Sequence, residues 1–406
     1  MSMENWKKKE PLFWQVAALC LYGIMLTKYI LMDSVVQYTI VARLPKINSY
    51  YLWLRLFAIV LLLAKISRGS RFTWKEIGIS ALLGIALIRC VQVVSFGMEV
   101  TPYEYDELID LLILIVVMRE VPFRNILKVY VAIGSVLVLG IGVLSQIGKV
   151  EDWILLAWNS AGKQVETHAL GFLYPNEYAA HVFFLSAAWI ALRGKKTSYA
   201  ELILLMGLSV LIFRYTNART GVISTALLVI GVAAWKLLTR FTAIEQSKAG
   251  TVFSIVLGVL PVVLCVGMLV LTWRFDWYSG TMMRLDQFFS TRLSLGKTGI
   301  QNYGIHPFGQ YIQMVGMTRD TDFANYNYID CSYVSILLRF GLAAFAAFAV
   351  AMEEIIRKAC KRKDVLFLGV LVLVFLQCAM EDHFQEIAYN PFLLALFAGM
   401  EQKIER

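Results

Sequence analysis

RYTNARTGVIS, residues 214–224, joins two apolar runs, 199–214 and 219–238, each close to the length a helix needs to cross a bilayer. At 1.5 Å of rise per residue, roughly 20 residues span the hydrocarbon core. The turn carries two arginines and no acid, so it belongs at an interface between two spans and not inside one long helix. The pattern recurs along the chain. Apolar stretches of this length follow one another from Pro11 to Met400, separated by short charged segments. Of the 406 residues, 59% are hydrophobic and only 17% charged, against about 25% charged in soluble domains. The reading is an all-α, polytopic membrane protein.

Twelve spans are predicted, near 11–31, 50–66, 76–96, 105–118, 126–147, 175–192, 199–214, 219–238, 251–273, 331–352, 364–380 and 387–402. An even number puts both termini on one side. Most of the 38 lysines and arginines then fall on the terminal side, in clusters such as Lys7–Lys9, Arg193–Lys196 and Arg357–Lys363. Positive charge marks the cytoplasmic face, so both termini are expected in the cytoplasm. The net charge of +9 is loop charge that sets orientation, and no nucleic-acid partner is implied. The segment MSMENWKKKE leads into a retained first span, because the apolar run is too long for a leader and lacks a cleavage site. The six cysteines form no CxxC pair, which argues against a disulfide framework or a zinc site. Without repeats or linkers, residues 1–406 read as one domain.

Two outer segments are long. Residues 148–174 include EDWILLAWN, whose alternation predicts a helix lying in the interface. Residues 274–330, between spans 9 and 10, form the largest loop. All four histidines, His168, His181, His306 and His383, fall in or near this outer half.

Each candidate residue has a structural and a functional reading. Arg219 either snorkels to lipid phosphates or presents a planar fork matched to a diphosphate; Arg214 reads first as an anchor. Arg284 and Arg292 are surface charge of the loop, or further anion contacts. Asp330 opens a span, where an aspartate caps the helix and complements its dipole. Asn176, in YPNEYA, is a cap or a pocket residue. DTD at 320–322 resembles a metal-binding motif but is too short to carry weight, and EDHFQE at 381–386 reads as an acidic outer turn. The acids Glu99, Glu104, Asp106, Glu107 and Asp110 are loop charge or partners for Arg89 and the outer arginines. Lys28, Arg55, Arg89 and Arg339 lie within spans, where charge marks function by default.

Between about 170 and 345 these elements fall in an order that resembles the Wzy-type lipid-linked polysaccharide polymerases, which share a superfamily with the O-antigen ligases. The resemblance rests on YPNEYA before one span, NARTG opening another, an arginine and then PFG in TRLSLGKTGIQNYGIHPFGQ, and DCSYVSILLRFG at the head of a third. It implies a GT-C-like membrane glycosyltransferase acting on undecaprenyl-diphosphate-linked oligosaccharides at the outer face of the cytoplasmic membrane. Arg219 would contact the donor diphosphate together with Arg214, Arg284 and Arg292, and Arg292 would line the loop cavity. Asn176 and Tyr333 would touch substrate. Asp330 stands where ligase relatives carry a histidine thought to serve as base, so Asp330 or His306 is expected to take the acceptor proton. The diphosphate is already a good leaving group, so no metal or other cofactor is required. Membrane lipid, a chain-length regulator and a flippase are the expected partners. A ligase of the same fold and a flippase or transporter of lipid-linked glycan are the competing readings.

Overall fold

A computed structural model of the chain describes residues 3–43, 47–67, 72–96, 103–158, 163–241, 248–316 and 326–399. Helices dominate: α1 (Met3–Met32), α2 (Val36–Arg43), α3 (Ile47–Ser67), α4 (Trp74–Ser95), α5 (Tyr103–Val117), α6 (Phe123–Gln146), α7 (Pro175–Arg193), α8 (Tyr199–Thr216), α9 (Arg219–Phe241) and α10 (Lys248–Arg274). They are followed by α11 (Gly280–Phe288), α12 (Arg292–Tyr303), the short α13 (Ser332–Ser335), α14 (Gly341–Lys361) and α15 (Val365–Met380). Among the described residues seven helical stretches are long and apolar enough to cross a membrane. Large apolar side chains such as Trp53, Ile85, Leu204, Val252 and Val262 face outward, as they do where the surrounding solvent is lipid. The chain is a multi-pass helical membrane protein.

Local sequence explains the helix ends. Ser198 and Glu201 form a reciprocal cap at the start of α8, as Thr73 and Glu76 do for α4, each pair satisfying orphan N–H groups. Helix α8 stops at Asn217, which adopts the left-handed conformation (φ 51°) that asparagine tolerates and returns its N–H to Phe213 O. With only Asn217 and Ala218 between the helices, α9 folds straight back against α8. Gly221 then lets α9 approach α7, since a Cβ there would lie 2.9 Å from the Ala179 Cβ. Ser224 of α9 donates to Gln377 of α15 at 2.7 Å, so one short stretch fixes three helices.

The bundle has two chemically distinct ends. One carries Lys65, Lys75, Arg119, Lys236, Arg357 and Lys358. There Lys75 and Arg357 both pair with Glu354, and Lys65 and Lys236 donate to carbonyls of Val117 and Thr197. The other end gathers the start of α7, the α8–α9 turn and the segments flanking α12 and α15.

Three expectations are corrected. EDWILLAWN is not an interfacial helix: Ile154–Trp158 forms strand β1, paired antiparallel with β2 (Gln164–His168) in the register Ile154↔His168 to Trp158↔Gln164. The stretch is in fact a short continuous apolar run, Trp153 to Trp158, which suits a strand as readily as a helix. Asp152 fastens the base of this hairpin, reaching His168 Nδ1 at 2.6 Å and accepting from the Leu170 N–H. The second correction concerns the loop 274–330, which contains α11 and α12. Asp286 accepts from the Leu293 and Ser294 N–H groups and so caps α12 from the preceding helix. Third, the final stretch is no membrane-spanning α-helix. After α15 the segment 381–399 passes from the cavity end to the basic end as irregular chain with a 3₁₀ turn at Pro391–Leu396. Its polar backbone is satisfied by protein. Ser332 Oγ donates to Glu381 O, Ile387 N–H donates to Glu107, Lys358 Nζ donates to Leu396 O, and Gly399 pairs with Val121 and Phe123. Non-helical chain survives at membrane depth only when enclosed in this way.

Candidate functional site

A cavity of about 320 Å³ opens at the end opposite the lysine-rich one. Sequentially distant pieces line it: Leu155, Leu156 and Thr167 of the hairpin, Tyr174–Glu177 at the start of α7, and Thr216 and Asn217 of the α8–α9 turn. Gly316, Tyr326, Tyr328 and Asp330 come from the loop ahead of α13, and Glu381, Asp382 and His383 from the irregular segment after α15. Local rules put them there. Pro175 supplies the fixed φ favoured in a first helical turn, and the Glu177 carboxylate accepts the Tyr174 N–H at 3.1 Å. Gly316 lies against the Tyr174 ring, and any Cβ there would collide with it. Paired backbone bonds between Val315 and Asn327 hold the two ends of that loop together beside the cavity.

Behind the lining is a buried ion cluster. Arg292 reaches Asp330 Oδ1 at 3.6 Å and Glu381 Oε1 at 3.5 Å through Nη2, while Nε donates to Met380 O and Nη1 to Ser290 O. Burial disfavours the charge on Arg292, but the two carboxylates outweigh that cost and its pKa moves up. The Tyr326 hydroxyl donates to Asp330 Oδ2 at 3.4 Å, and burial raises the pKa of that phenol, which keeps it a donor. Deeper in, Arg339 pairs with Asp382 at 3.0 Å and with Glu104 at 3.7 Å, and Ser335 Oγ donates to Asp382 at 2.7 Å. Arg339 sits in a π-helical turn, Ile336–Phe340. The carbonyls that this turn leaves open accept from Gln310, through its backbone N–H at Arg339 O and its side chain at Leu338 O. Gly309 (φ 80°) rests on Arg339 O, so HPFGQ serves as a backbone clamp on the π turn and not as cavity lining.

Asn176 and Asp330 line the cavity, and Arg292 stands directly behind Asp330. Arg214 and Arg219 are exposed on either side of the turn whose Thr216 and Asn217 form the wall. They flank the cavity and do not line it. Arg284 is exposed and donates to Gly280 O, four residues back in its own helix, and it is not among the residues that line the cavity. His306 is exposed and lies 3.2 Å from Tyr303 O, away from the lining, so it is removed as a candidate base. Tyr333 is buried in an apolar wall, its hydroxyl donating to Phe375 O, and it is not among the residues that line the cavity with Asp330. Lys28, Arg55, Asp106 and Asp110 pair among themselves across α1, α3 and α5, which answers the question of what those in-span charges meet. DTD and Glu99 lie outside the described residues.

EDHFQE is the main residue set that the sequence reading misplaced. It is not a solvated turn; Glu381, Asp382 and His383 are buried at the cavity floor. The available signal was Arg339, a charge within a span that demands an acid nearby. The sign of the lining also differs from expectation. Among the described residues it holds the acids Glu177, Asp330, Glu381 and Asp382, three tyrosines and one histidine, with no lysine or arginine. Such a surface hydrogen-bonds hydroxyls from carboxylates and packs apolar faces on aromatic rings, and its cations stand behind it or at its rim. Among the described residues no group of three His, Cys, Asp or Glu is arranged to hold a metal ion. Comparison of the chain with protein-family models, with curated proteins and with solved structures returned no match.

Proposed function

We propose that the chain is a membrane glycosyltransferase that joins polyprenyl-diphosphate-linked oligosaccharide repeat units, with the cavity on the extracytoplasmic face of the cytoplasmic membrane. Twelve crossings, eleven helical and the last irregular, put both termini in the cytoplasm with the lysine-rich end. The observation that carries the reading is convergence: YPNEYA, the NARTG turn and the approach to DCSY, far apart in sequence, each contribute side chains to one hollow with Asp330, Asn176 and Asn217 in its wall. Carboxylates and tyrosines suit sugar hydroxyls and ring faces. Arg219 and Arg214, exposed beside the mouth, suit a diphosphate whose lipid tail stays in the membrane. In this reading a hydroxyl of one repeat unit attacks the anomeric carbon of another. The bond to the diphosphate breaks, and Arg219 stabilises the charge developing on the leaving group.

The test is turnover by purified protein in nanodiscs of a defined polyprenyl-diphosphate oligosaccharide. A ladder of lengthened lipid-linked products is expected, and its absence under conditions where the folded protein binds the substrate retires the reading. A ligase of the same fold would transfer the glycan only when a different acceptor is supplied. The acid lining favours one reading of another class, a cation-coupled carrier of lipid-linked glycan; such a carrier would move intact substrate between leaflets without changing its length.

A further inference from the structure

We infer that His383 is the general base of this cavity, with Glu386 as the residue that positions it; the inference rests on the glycosyl-transfer reading and assigns the proton acceptor that reading requires. His383 Nδ1 lies 2.7 Å from Glu386 Oε2. With Glu386 ionised its carboxylate only accepts, so in that form Nδ1 carries the proton and Nε2 presents its lone pair. Nε2 is buried and makes no hydrogen bond among the described residues, although His383 lines the cavity. A buried ring nitrogen left unmatched is costly in a structural histidine and is what a proton acceptor awaiting a hydroxyl requires.

The ring is also locked. It stacks on Tyr389 with centroids 3.9 Å apart and planes 13° apart, and Tyr389 stacks in turn on His181 at 3.9 Å and 15°. Phe184 meets it edge-on at 6.5 Å. The backbone on either side is pinned as well, because the Phe384 N–H donates to Ser332 Oγ and the Asn390 side chain donates to Phe384 O. The cavity's other candidate, Asp330, already has one oxygen toward Arg292 and the other on Tyr326. Orientation by a carboxylate, a fixed ring and a free Nε2 together form the base-and-orienter pair of nucleophile activation.

The step balances. His383 Nε2 takes the proton of the acceptor hydroxyl as its oxygen bonds the anomeric carbon. The electron pair of the breaking carbon–oxygen bond leaves with polyprenyl diphosphate, and the imidazolium then returns its proton to water through the cavity.

Two measurements test this. His383→Asn keeps a donor for Glu386 and removes the base; it should lower kcat by about 100-fold or more, the usual contribution of general-base catalysis, with KM within about threefold of wild type. Added imidazole should restore part of the rate to His383→Ala, which a merely structural role would not allow. Turnover of His383→Asn near the wild-type rate, or a defect in KM alone, overturns the assignment. Separately, 15N NMR of labelled histidine, with the signal assigned by its loss in His383→Asn, should show His383 protonated at Nδ1 and bare at Nε2, with the Nε2 resonance shifting when lipid-linked oligosaccharide is added. That tautomer in a protein that does not elongate the substrate sinks the polymerase reading alone. A proton on Nε2 and none on Nδ1 sinks the assignment of the base, whatever the activity.

Discussion

Arg292 tests the site's electrostatics without any knowledge of substrate. Its guanidinium is the sole cation within ion-pair distance of both Asp330 and Glu381 among the described residues, and its side chain is 12% exposed. At 3.5–3.6 Å and an effective dielectric near 20, each attraction is of order 4–5 kcal/mol before desolvation is subtracted. Desolvation offsets much of that gain, so the intact cluster adds little net stability. Removing the cation alone is a different matter, because it strands two buried acids and costs about 3–5 kcal/mol. Spread over the unfolding entropy of 406 residues, that loss corresponds to a fall in Tm of roughly 4–6 °C. Arg292→Met should therefore lower the Tm of the purified protein in nanodiscs by that order, read by tryptophan fluorescence. Adding Asp330→Asn and Glu381→Gln to Arg292→Met should recover most of the loss, since neutral amides need no counter-ion. If Arg292→Met melts with wild type, or if the triple variant melts lower still, the cluster is not held by charge and the account of Arg292 fails.

Three further outcomes are expected. Arg219→Ala and Arg219→Lys should both fold with wild-type Tm, because the side chain is exposed, yet both should lose most polymer formation, since an ammonium lacks the planar fork; full-length polymer from Arg219→Lys would remove the bidentate role. Gly221→Val should destabilise by about 1–3 kcal/mol through overpacking against Ala179, visible as a lower Tm even without substrate, and a wild-type Tm would show that α7 and α9 can part without cost. Elongation in nanodiscs should proceed unchanged in excess chelator, and a loss restored by a divalent ion would place a metal in the chemistry.

The seven helical stretches long and apolar enough to cross a membrane, each matching one of the twelve predicted spans, were legible because they rest on one-dimensional signals. Apolar runs of fixed length, the capping pairs Ser198–Glu201 and Thr73–Glu76, and Asn217 at a helix end each act within a few residues, and each sits where its local chemistry directs. EDWILLAWN failed as a helix for a related reason. An apolar run of six residues satisfies a strand pairing with β2 as readily as a short interfacial helix, and the contact that fastens the hairpin, Asp152 to His168, spans 16 residues.

The candidate site was legible only where position along a span decides location. Asn176 and Asp330 head helices at the cavity end, so placing the helix places the residue. Tyr333 is only three residues beyond Asp330, but Asp330 lies in the chain ahead of α13 and Tyr333 lies within it against α15, so no helical repeat relates their directions. EDHFQE resisted reading because its acids look solvated in a hydropathy profile, and nothing local says that the chain beyond them stays irregular. What holds the segment is distributed: Arg292 from α12, Ser332 and Ser335 from α13, Arg339 from the π turn, and Glu107 from α5. Each of those partners is separated from it in sequence by tens of residues or more, and each is a polar group that lipid could not satisfy. Polar side chains on at least four elements therefore need a polar segment between them, and the segment needs those side chains to stay non-helical at membrane depth. This mutual requirement explains how one stretch can both floor the cavity and cross the bundle. It also explains why the proposed base can sit there: a histidine with a nitrogen left without a partner among the described residues is tolerated at membrane depth only inside a shell of this kind.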